Sequence, residues 1–358
     1  MEFYLMMTKH CNLSCRYCSG VNIKSSRNSE ISRPDLDRQL DYVFKVAGKY
    51  PKDKHSLMFY GGEPLLNLEG IEEVIKRTQN IKFNFQYLIY TNGTLLNRAS
   101  ELLLENLSYI FVSIDGLEEV HDAQRGKGSF RKILSNLENL SSAFAGEKMA
   151  RITVTNIVPL YDSVMNLLDK FEHIYWSVEN TSELYPDEDE YQARYLEDQS
   201  RLIDFWVREL ERGKLWNIVP FQGTAWALLS GEKIEQPWCG FGSVSNIVDL
   251  DGTAYLCDEL VENPEFVWTS SKYIGWKPPY QHPDCQRCPV KFICGGRCGV
   301  AMLFHPPERR KRDCLKVIKM IQEIERKLPR IEDALKKHQI PLNALASEVV
   351  LDHCEVMP

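Results

Sequence analysis

The first half of the chain alternates short β-rich runs with longer amphipathic stretches. Runs at about 3–8, 57–60, 85–91, 110–114, 152–158 and 174–178 are rich in branched and aromatic residues and predict strands. One stretch between them opens at Pro34, a suitable first helical residue, and carries Leu36, Leu40, Val43, Phe44 and Ala47 on one side. Others fall at about 68–78, 97–106, 130–142 and 163–171. Six strands alternating with helices imply parallel β/α units, in an incomplete barrel or an open sheet. Residues from Asp187 to about 229 read as helical linkage, opening on the acidic run 187–190, which is expected to be a solvated, dipole-favoured helix start. Ile203, Phe205, Trp206, Leu210, Trp216 and Trp226 there are expected to be core. A basic helix from Arg310 to about His338 is expected to close the fold.

Composition adds one feature to this picture. The 358 residues carry a net charge of -7, which argues against a nucleic-acid surface, and no run approaches the length of a membrane span. No signal peptide is evident, so a cytoplasmic, reducing setting is expected, where the eleven cysteines are thiols kept for metals or catalysis. They fall in two groups: Cys11, Cys15 and Cys18, then seven between Cys239 and Cys314, with Cys354 alone near the end. The long interval without cysteine suggests a boundary near 236–237.

The first group, C-x3-C-x2-C, follows the first predicted strand, and sites in parallel α/β folds lie at the carboxyl ends of strands. Three thiolates are one short of the four that hold a cubane, so one iron would be open to an external ligand. A zinc knuckle uses similar spacing. The stretch with Tyr17 before its third cysteine resembles the radical S-adenosylmethionine (radical SAM) superfamily signature. Further motifs fit that resemblance, each ending a predicted strand: Gly61-Gly62-Glu63, Thr91-Asn92-Gly93, and Ser113-Ile114-Asp115-Gly116, with His121, Asp122 and Arg125 after it. The resemblance implies that Tyr17, Gly61, Gly62, Glu63, Asn92, Ser113 and Arg125 face SAM. The Gly-Gly-Glu motif would hold its amino group, and Ser113 and Arg125 its ribose and carboxylate.

The second group, Cys239, Gly252, Cys257, then C-x2-C-x5-C-x3-C from Cys285 to Cys298, and Cys314, resembles the SPASM pattern. That resemblance implies two auxiliary clusters, three iron–sulfur clusters in all, most simply 4Fe-4S. Cys285, Cys288, Cys294 and Cys314 would ligate auxiliary cluster II. Cys239, Cys257 and Cys298 would ligate auxiliary cluster I, whose fourth ligand is open between Cys354, a substrate thiolate and another residue such as an Asp. Asp258 resembles the acid that anaerobic sulfatase-maturating enzymes use as a base, and reads equally as a turn acid or helix cap.

The fold implied is α/β: a partial (β/α)6 TIM-like barrel with a C-terminal SPASM domain. The segments expected are 1–184 for the barrel, 185–235 for a helical linker, 236–319 for SPASM and 320–358 for a closing helix and tail. The activity implied is maturation of a ribosomally made peptide or protein. SAM cleavage gives a 5′-deoxyadenosyl radical that abstracts hydrogen and leads to a thioether or other cross-link; formylglycine formation and redox-neutral epimerisation are the alternatives. The partners expected are the substrate and a reductant such as ferredoxin or flavodoxin, with no nucleic acid and no membrane. The first strand lies near residue 1, so no leader-binding domain is expected before it.

Overall fold

The computed structural model describes residues 1–18, 33–268, 282–346 and 357. Six strands follow one another in the chain: β1 (Glu2–Thr8), β2 (Lys54–Gly61), β3 (Asn84–Thr91), β4 (Leu107–Ser113), β5 (Glu147–Val154) and β6 (His173–Val178). Between them lie α1 (Leu36–Ala47), α2 (Leu68–Thr78), α3 (Glu101–Asn106), α4 (Glu118–Arg125), α5 (Ser129–Glu138) and α6 (Leu160–Leu167). β5 starts and ends earlier than its apolar run suggests. The chain turns at Thr155, whose carbonyl accepts the Val158 N–H at 3.2 Å and whose hydroxyl accepts that of Ile157 at 3.4 Å. The later apolar residues belong to that turn.

Two compact units divide the chain. One contains Met1–Ile114, Glu118–Met149 and Val244–Trp276; the other contains Asp115–Leu117, Ala150–Ser243 and Lys277–Pro358. In the first, β1 pairs in parallel with β2 on one side and β7 (Ser245–Val248) on the other, and β8 (Ala254–Tyr255) runs antiparallel to β7. β2, β3 and β4 continue the parallel series. Phe3, Leu5 and Met7 of β1 and Leu57, Met58 and Phe59 of β2 are wholly buried, as expected of parallel strands covered on both faces. α1 begins where the Asp35 carboxylate accepts the Arg38 N–H at 3.1 Å, and it buries Leu40, Val43 and Ala47. Gln39 is buried among them: its amide donates to the carbonyls of Met6, Val248 and Asp249 at 3.1, 3.3 and 3.0 Å, tying β1 to the end of β7.

In the second unit the expected helical linkage is α7 (Glu188–Glu211) and α8 (Val219–Ser230). Short helices α9 (Pro283–Gln286), α10 (Lys291–Cys294) and α11 (Gly299–Phe304) lead into α12 (Pro307–Lys337), the expected basic helix. Ile203, Trp206 and Leu210 are core, whereas Phe205, Trp216 and Trp226 are only half-buried. Trp206 and Trp176 both pack on Phe221, at 6.1 and 5.4 Å between rings. The acidic run opening α7 is not wholly solvated. Glu188 is buried and paired with Arg309, a partner supplied far along the chain. Among the described residues no helix is long and apolar enough to cross a membrane.

Candidate functional site

The ends of β1, β2 and β3 meet around the first cysteine loop. Gly61 has φ +128°, and a Cβ on Gly62 would lie 2.1 Å from the His10 carbonyl oxygen. Only glycine lets the chain pass there. The close approach allows the Gly62 N–H to donate to the Thr8 carbonyl at 2.9 Å and the Glu63 N–H to that of His10 at 2.8 Å. Glu63 is wholly buried. Its carboxylate accepts the Leu65 N–H at 3.2 Å, the Thr91 hydroxyl at 2.8 Å and the Asn92 N–H at 2.8 Å. Burial pushes its carboxyl up to about 7, against the pull of those donors. The Asn92 amide donates to the Asn12 carbonyl oxygen at 2.9 Å and to Cys11 Sγ at 3.8 Å. Asn12 in turn donates to the Thr94 hydroxyl at 2.8 Å.

Cys11, Cys15 and Cys18 are half-buried on this loop. The Leu13 N–H points at Cys11 Sγ at 3.5 Å, and the Arg16 N–H bonds the Gln124 carbonyl of α4 at 2.9 Å. The Tyr17 ring lies 5.2 Å from the Arg125 guanidinium, joining two of the expected SAM-facing residues. Ser113 ends β4. His121 and Asp122 serve the local fold: the imidazole bonds Ser129 Oγ at 3.0 Å, and the carboxylate accepts the Phe130 N–H at 3.0 Å at the start of α5. Burial pushes the Cys11 thiol up to about 11; nearby N–H groups oppose this, and the Glu63 and Cys15 charges add to it. A cationic centre reverses such a balance and holds the thiolates, so this donor set fits an iron–sulfur cluster.

The second unit gathers Cys285, Cys288, Cys294 and Cys314. Burial, then the charges of Cys294, Cys314 and Cys288, push the Cys285 thiol up to about 12. Cys294 ends α10, where Gly295, Gly296 and Arg297 follow with φ of +68°, +108° and +55°. That left-handed run turns the N–H groups of Gly296 and Arg297 toward the Cys294 thiol, which burial pushes up to about 11. Backbone concavities of this kind suit anionic iron–sulfur groups. Among the described residues, no three His, Cys, Asp or Glu side chains converge tightly enough to hold one metal ion. A 4Fe-4S cubane takes one thiolate on each of its four irons and so spaces its ligands more widely.

The remaining expected ligands are distributed. Cys239 and Cys298 belong to the second unit, Cys257 to the first, and Cys354 lies outside the described residues. Cys298 Sγ accepts the Ala301 N–H at 3.5 Å at the start of α11. The Cys257 thiol donates to one oxygen of Asp258 at 3.2 Å, and the Tyr60 hydroxyl donates to the other at 2.5 Å. Tyr60 stands directly before Gly61, its ring edge-on to Tyr4 and Tyr90 at 5.7 and 5.5 Å, and Tyr90 packs on Phe111 at 4.6 Å. Neither Tyr60 nor Arg297 is singled out by sequence reasoning. The available signals were their places, one abutting the Gly-Gly-Glu motif and the other inside the C-x3-C spacing.

Residues 5–168 match the Radical SAM superfamily. The chain thus carries a radical SAM domain, and that superfamily works with a 4Fe-4S cluster and SAM. The chain is related to the anaerobic sulfatase-maturating enzymes. The cysteine-type enzyme of Clostridium novyi (strain NT) is 25% identical, the match covering 71% of this chain and 72% of that one. That of Clostridium perfringens (strain ATCC 13124) is 24% identical, covering 80% and 85%. The radical SAM cyclopropyl synthase TigE of Paramaledivibacter caminithermalis is 31% identical over 38% of this chain and 32% of its own. The solved structure of native anSMEcpe with bound AdoMet has the same fold, with a TM-score of 0.73 at 21% identity, covering 94% of this chain and 99% of that one. The α/β architecture is therefore the partial (β/α)6 barrel that the family resemblance implied, where the alternation of strands and helices alone left an open sheet as the other choice.

Proposed function

We propose that this chain is a maturase that oxidises a cysteine or serine side chain of a peptide or protein substrate to formylglycine. The observation that carries the reading is Asp258, whose carboxylate is held by Tyr60 on one oxygen and meets the Cys257 thiol with the other. The relatives that match over most of their length bear the name of cysteine-type sulfatase-maturating enzymes, and a related solved structure, native anSMEcpe with AdoMet, holds a peptide called Cp18Cys.

In this reading Cys11, Cys15 and Cys18 hold the SAM-cleaving cluster, and Tyr17, Gly61, Gly62, Glu63, Asn92, Ser113 and Arg125 face SAM. SAM bound at that cluster would supply the radical chemistry that removes one hydrogen atom from the β-carbon of the substrate. Asp258 takes the proton of the substrate thiol or hydroxyl. Cys285, Cys288, Cys294 and Cys314 would hold a cluster able to accept the remaining electron. Loss of hydrogen atom, proton and electron leaves a thioaldehyde from cysteine or the aldehyde from serine; water converts the thioaldehyde to the aldehyde and releases hydrogen sulfide. Cys239, Cys257 and Cys298 hold the other auxiliary cluster, with Cys354 or a substrate thiolate as fourth ligand. The segments 1–184, 185–235, 236–319 and 320–358 are the modules of this enzyme, and a ferredoxin or flavodoxin is its reductant.

Cross-linking through a thioether is the second reading, favoured by one feature: Gly240 to Leu256 contain no cysteine, so auxiliary cluster I has a position for a substrate thiolate. The test is anaerobic turnover of a cysteine peptide and its serine counterpart, followed by mass spectrometry. An aldehyde, trapped with a hydrazine, supports the first reading. Loss of two hydrogens with sulfur retained supports the second, and a mass-neutral change at the α-carbon overturns both.

A further inference from the structure

The cysteine site of the second unit adjoins a buried charge network that the proposed chemistry leaves unexplained. The Arg297 side chain is only 8% exposed, and its guanidinium hydrogen-bonds the Cys314 thiol and faces Cys294 and Cys298. Its Nε and Nη1 atoms have no hydrogen-bond partner. Asp313 faces it, with Oδ2 3.8 Å from Nη1. That carboxylate is already engaged by Arg309 at 3.2 Å and Lys316 at 3.1 Å. Arg309 also pairs with Glu188 at 3.2 Å. Lys316 lies over the rings of Tyr191 and Tyr195 at 4.9 and 5.6 Å; burial lowers its pKa below the ordinary lysine value, against the pull of Asp313.

Arg297, Arg309 and Lys316 thus face two carboxylates, Asp313 and Glu188, and every one of these side chains is at least nine-tenths buried. Asp313, the carboxylate that pairs with Arg297 among the described residues, stands 3.8 Å from it and is shared with Arg309 and Lys316, so the Arg297 guanidinium is the least compensated of the three. Burying a charge without a counter-ion is strongly unfavourable, so the network is complete only with an anion beside it. The unpaired N–H groups belong to the residue that touches the cysteines. Arg297 also sits at φ +55°, a left-handed backbone that a long side chain adopts only when its surroundings hold it there.

We infer that Arg297 is the counter-charge of the group bound by Cys285, Cys288, Cys294 and Cys314, and that it raises that group's reduction potential. The inference rests on the assignment of these four cysteines to an iron–sulfur cluster. A thiolate-ligated cluster is anionic and gains one negative charge when it takes an electron. A fixed guanidinium donating to its sulfurs stabilises the reduced form more than the oxidised form, and net charge and hydrogen bonds to sulfur are what set such potentials. Arg297 is therefore a positioning and tuning residue for an electron acceptor. Asp313 has the opposite effect, tempering the cation.

The test is a redox titration followed by electron paramagnetic resonance on the full, anaerobically reconstituted chain. Iron content comes first, comparing wild type with Cys285→Ala. Equal iron in the two overturns the ligand assignment itself, and this inference with it, before any potential is read. With that assignment secure, Arg297→Gln is expected to move the midpoint of the signal lost in Cys285→Ala to more negative potential. The expected size is at least tenfold in the reduced-to-oxidised ratio at fixed potential, about 59 mV for a one-electron couple. Asp313→Asn is expected to move it the other way, and Arg297→Lys to shift it less than Arg297→Gln. Unchanged midpoints in Arg297→Gln and Asp313→Asn overturn the inference. If Arg297→Gln fails to take up iron, Asp313→Asn decides alone: a rise supports the inference and no change refutes it.

Discussion

The two best-formed cysteine sites are built in opposite ways. The loop at the end of β1 draws three thiols from a single local segment, and neighbouring strand ends hold it through backbone and amide hydrogen bonds. It is half-buried, and as ligands of a cubane its three thiols would leave one iron for a substrate to complete. The site of the second unit draws four thiols from α9, the turn after it, α10 and α12, and sets a buried guanidinium against them. In the proposed reading its four thiols complete the ligand set of a cluster. In that reading the contrast separates two tasks: a site with an open ligand position binds and cleaves a substrate, while one with all four thiols holds and passes electrons.

Breaking one ligand in each site is the most direct way to test that division. Cys15→Ala is expected to abolish 5′-deoxyadenosine formation. Cys285→Ala is expected to retain it while product formation falls to background. Chromatography of 5′-deoxyadenosine beside mass spectrometry of the peptide reads both. Next in size is Asp258→Asn, expected to lower product formation by about 10²–10⁴-fold, the usual worth of a general base. Tyr60→Phe, which leaves the carboxylate in place but unheld, is expected to cost only a few-fold in product per SAM cleaved.

The glycines sharpen the comparison further. Gly62→Ala forces a Cβ to 2.1 Å from a backbone oxygen, and Gly295→Ala forces one to 2.3 Å from the Gln236 carbonyl at φ +68°. Each is expected to destabilise the chain by about 1–3 kcal/mol, as overpacking does, and to lower the iron held by its own site. Thermal unfolding and iron analysis check both.

The smallest expected effect is a pH dependence confined to the first site. Burial lifts the Glu63 carboxyl from its ordinary 4.5 to about 7, so between those values the folded chain holds a proton that the unfolded chain has lost. The contribution of Glu63 to apo stability is therefore fully present below 4.5 and is lost as pH rises through about 7. An ammonium beside the carboxylate favours the ionised form, so SAM affinity rises over the same interval. Glu63→Gln is expected to flatten both curves, read by thermal denaturation of the apo chain and by SAM titration.

Much of this was legible in the sequence because it is local. Strand and helix positions follow from short-range patterning, and the cysteine and strand-end motifs are contiguous runs. What was not legible depends on residues far apart. Asp258 reaches Tyr60 only because the return through β7 and β8 brings 244–268 alongside β1, and Glu188 is buried because Arg309 of α12 comes to it. Nothing in the acidic run at 187–190 distinguishes the residue that will be paired from its solvated neighbours. The early end of β5 was missed because Ile157 and Val158 look like strand residues, while the turn depends on Thr155.

The central claim is that SAM cleavage here is coupled to oxidation of a peptide side chain to an aldehyde. It is tested most directly by anaerobic turnover of a cysteine peptide, counting 5′-deoxyadenosine and trapped aldehyde in the same reaction. The account predicts that the two appear in equal amounts and that Asp258→Asn suppresses the aldehyde far more than the 5′-deoxyadenosine. A peptide that loses two hydrogens yet keeps its sulfur, with no aldehyde trapped, would contradict it.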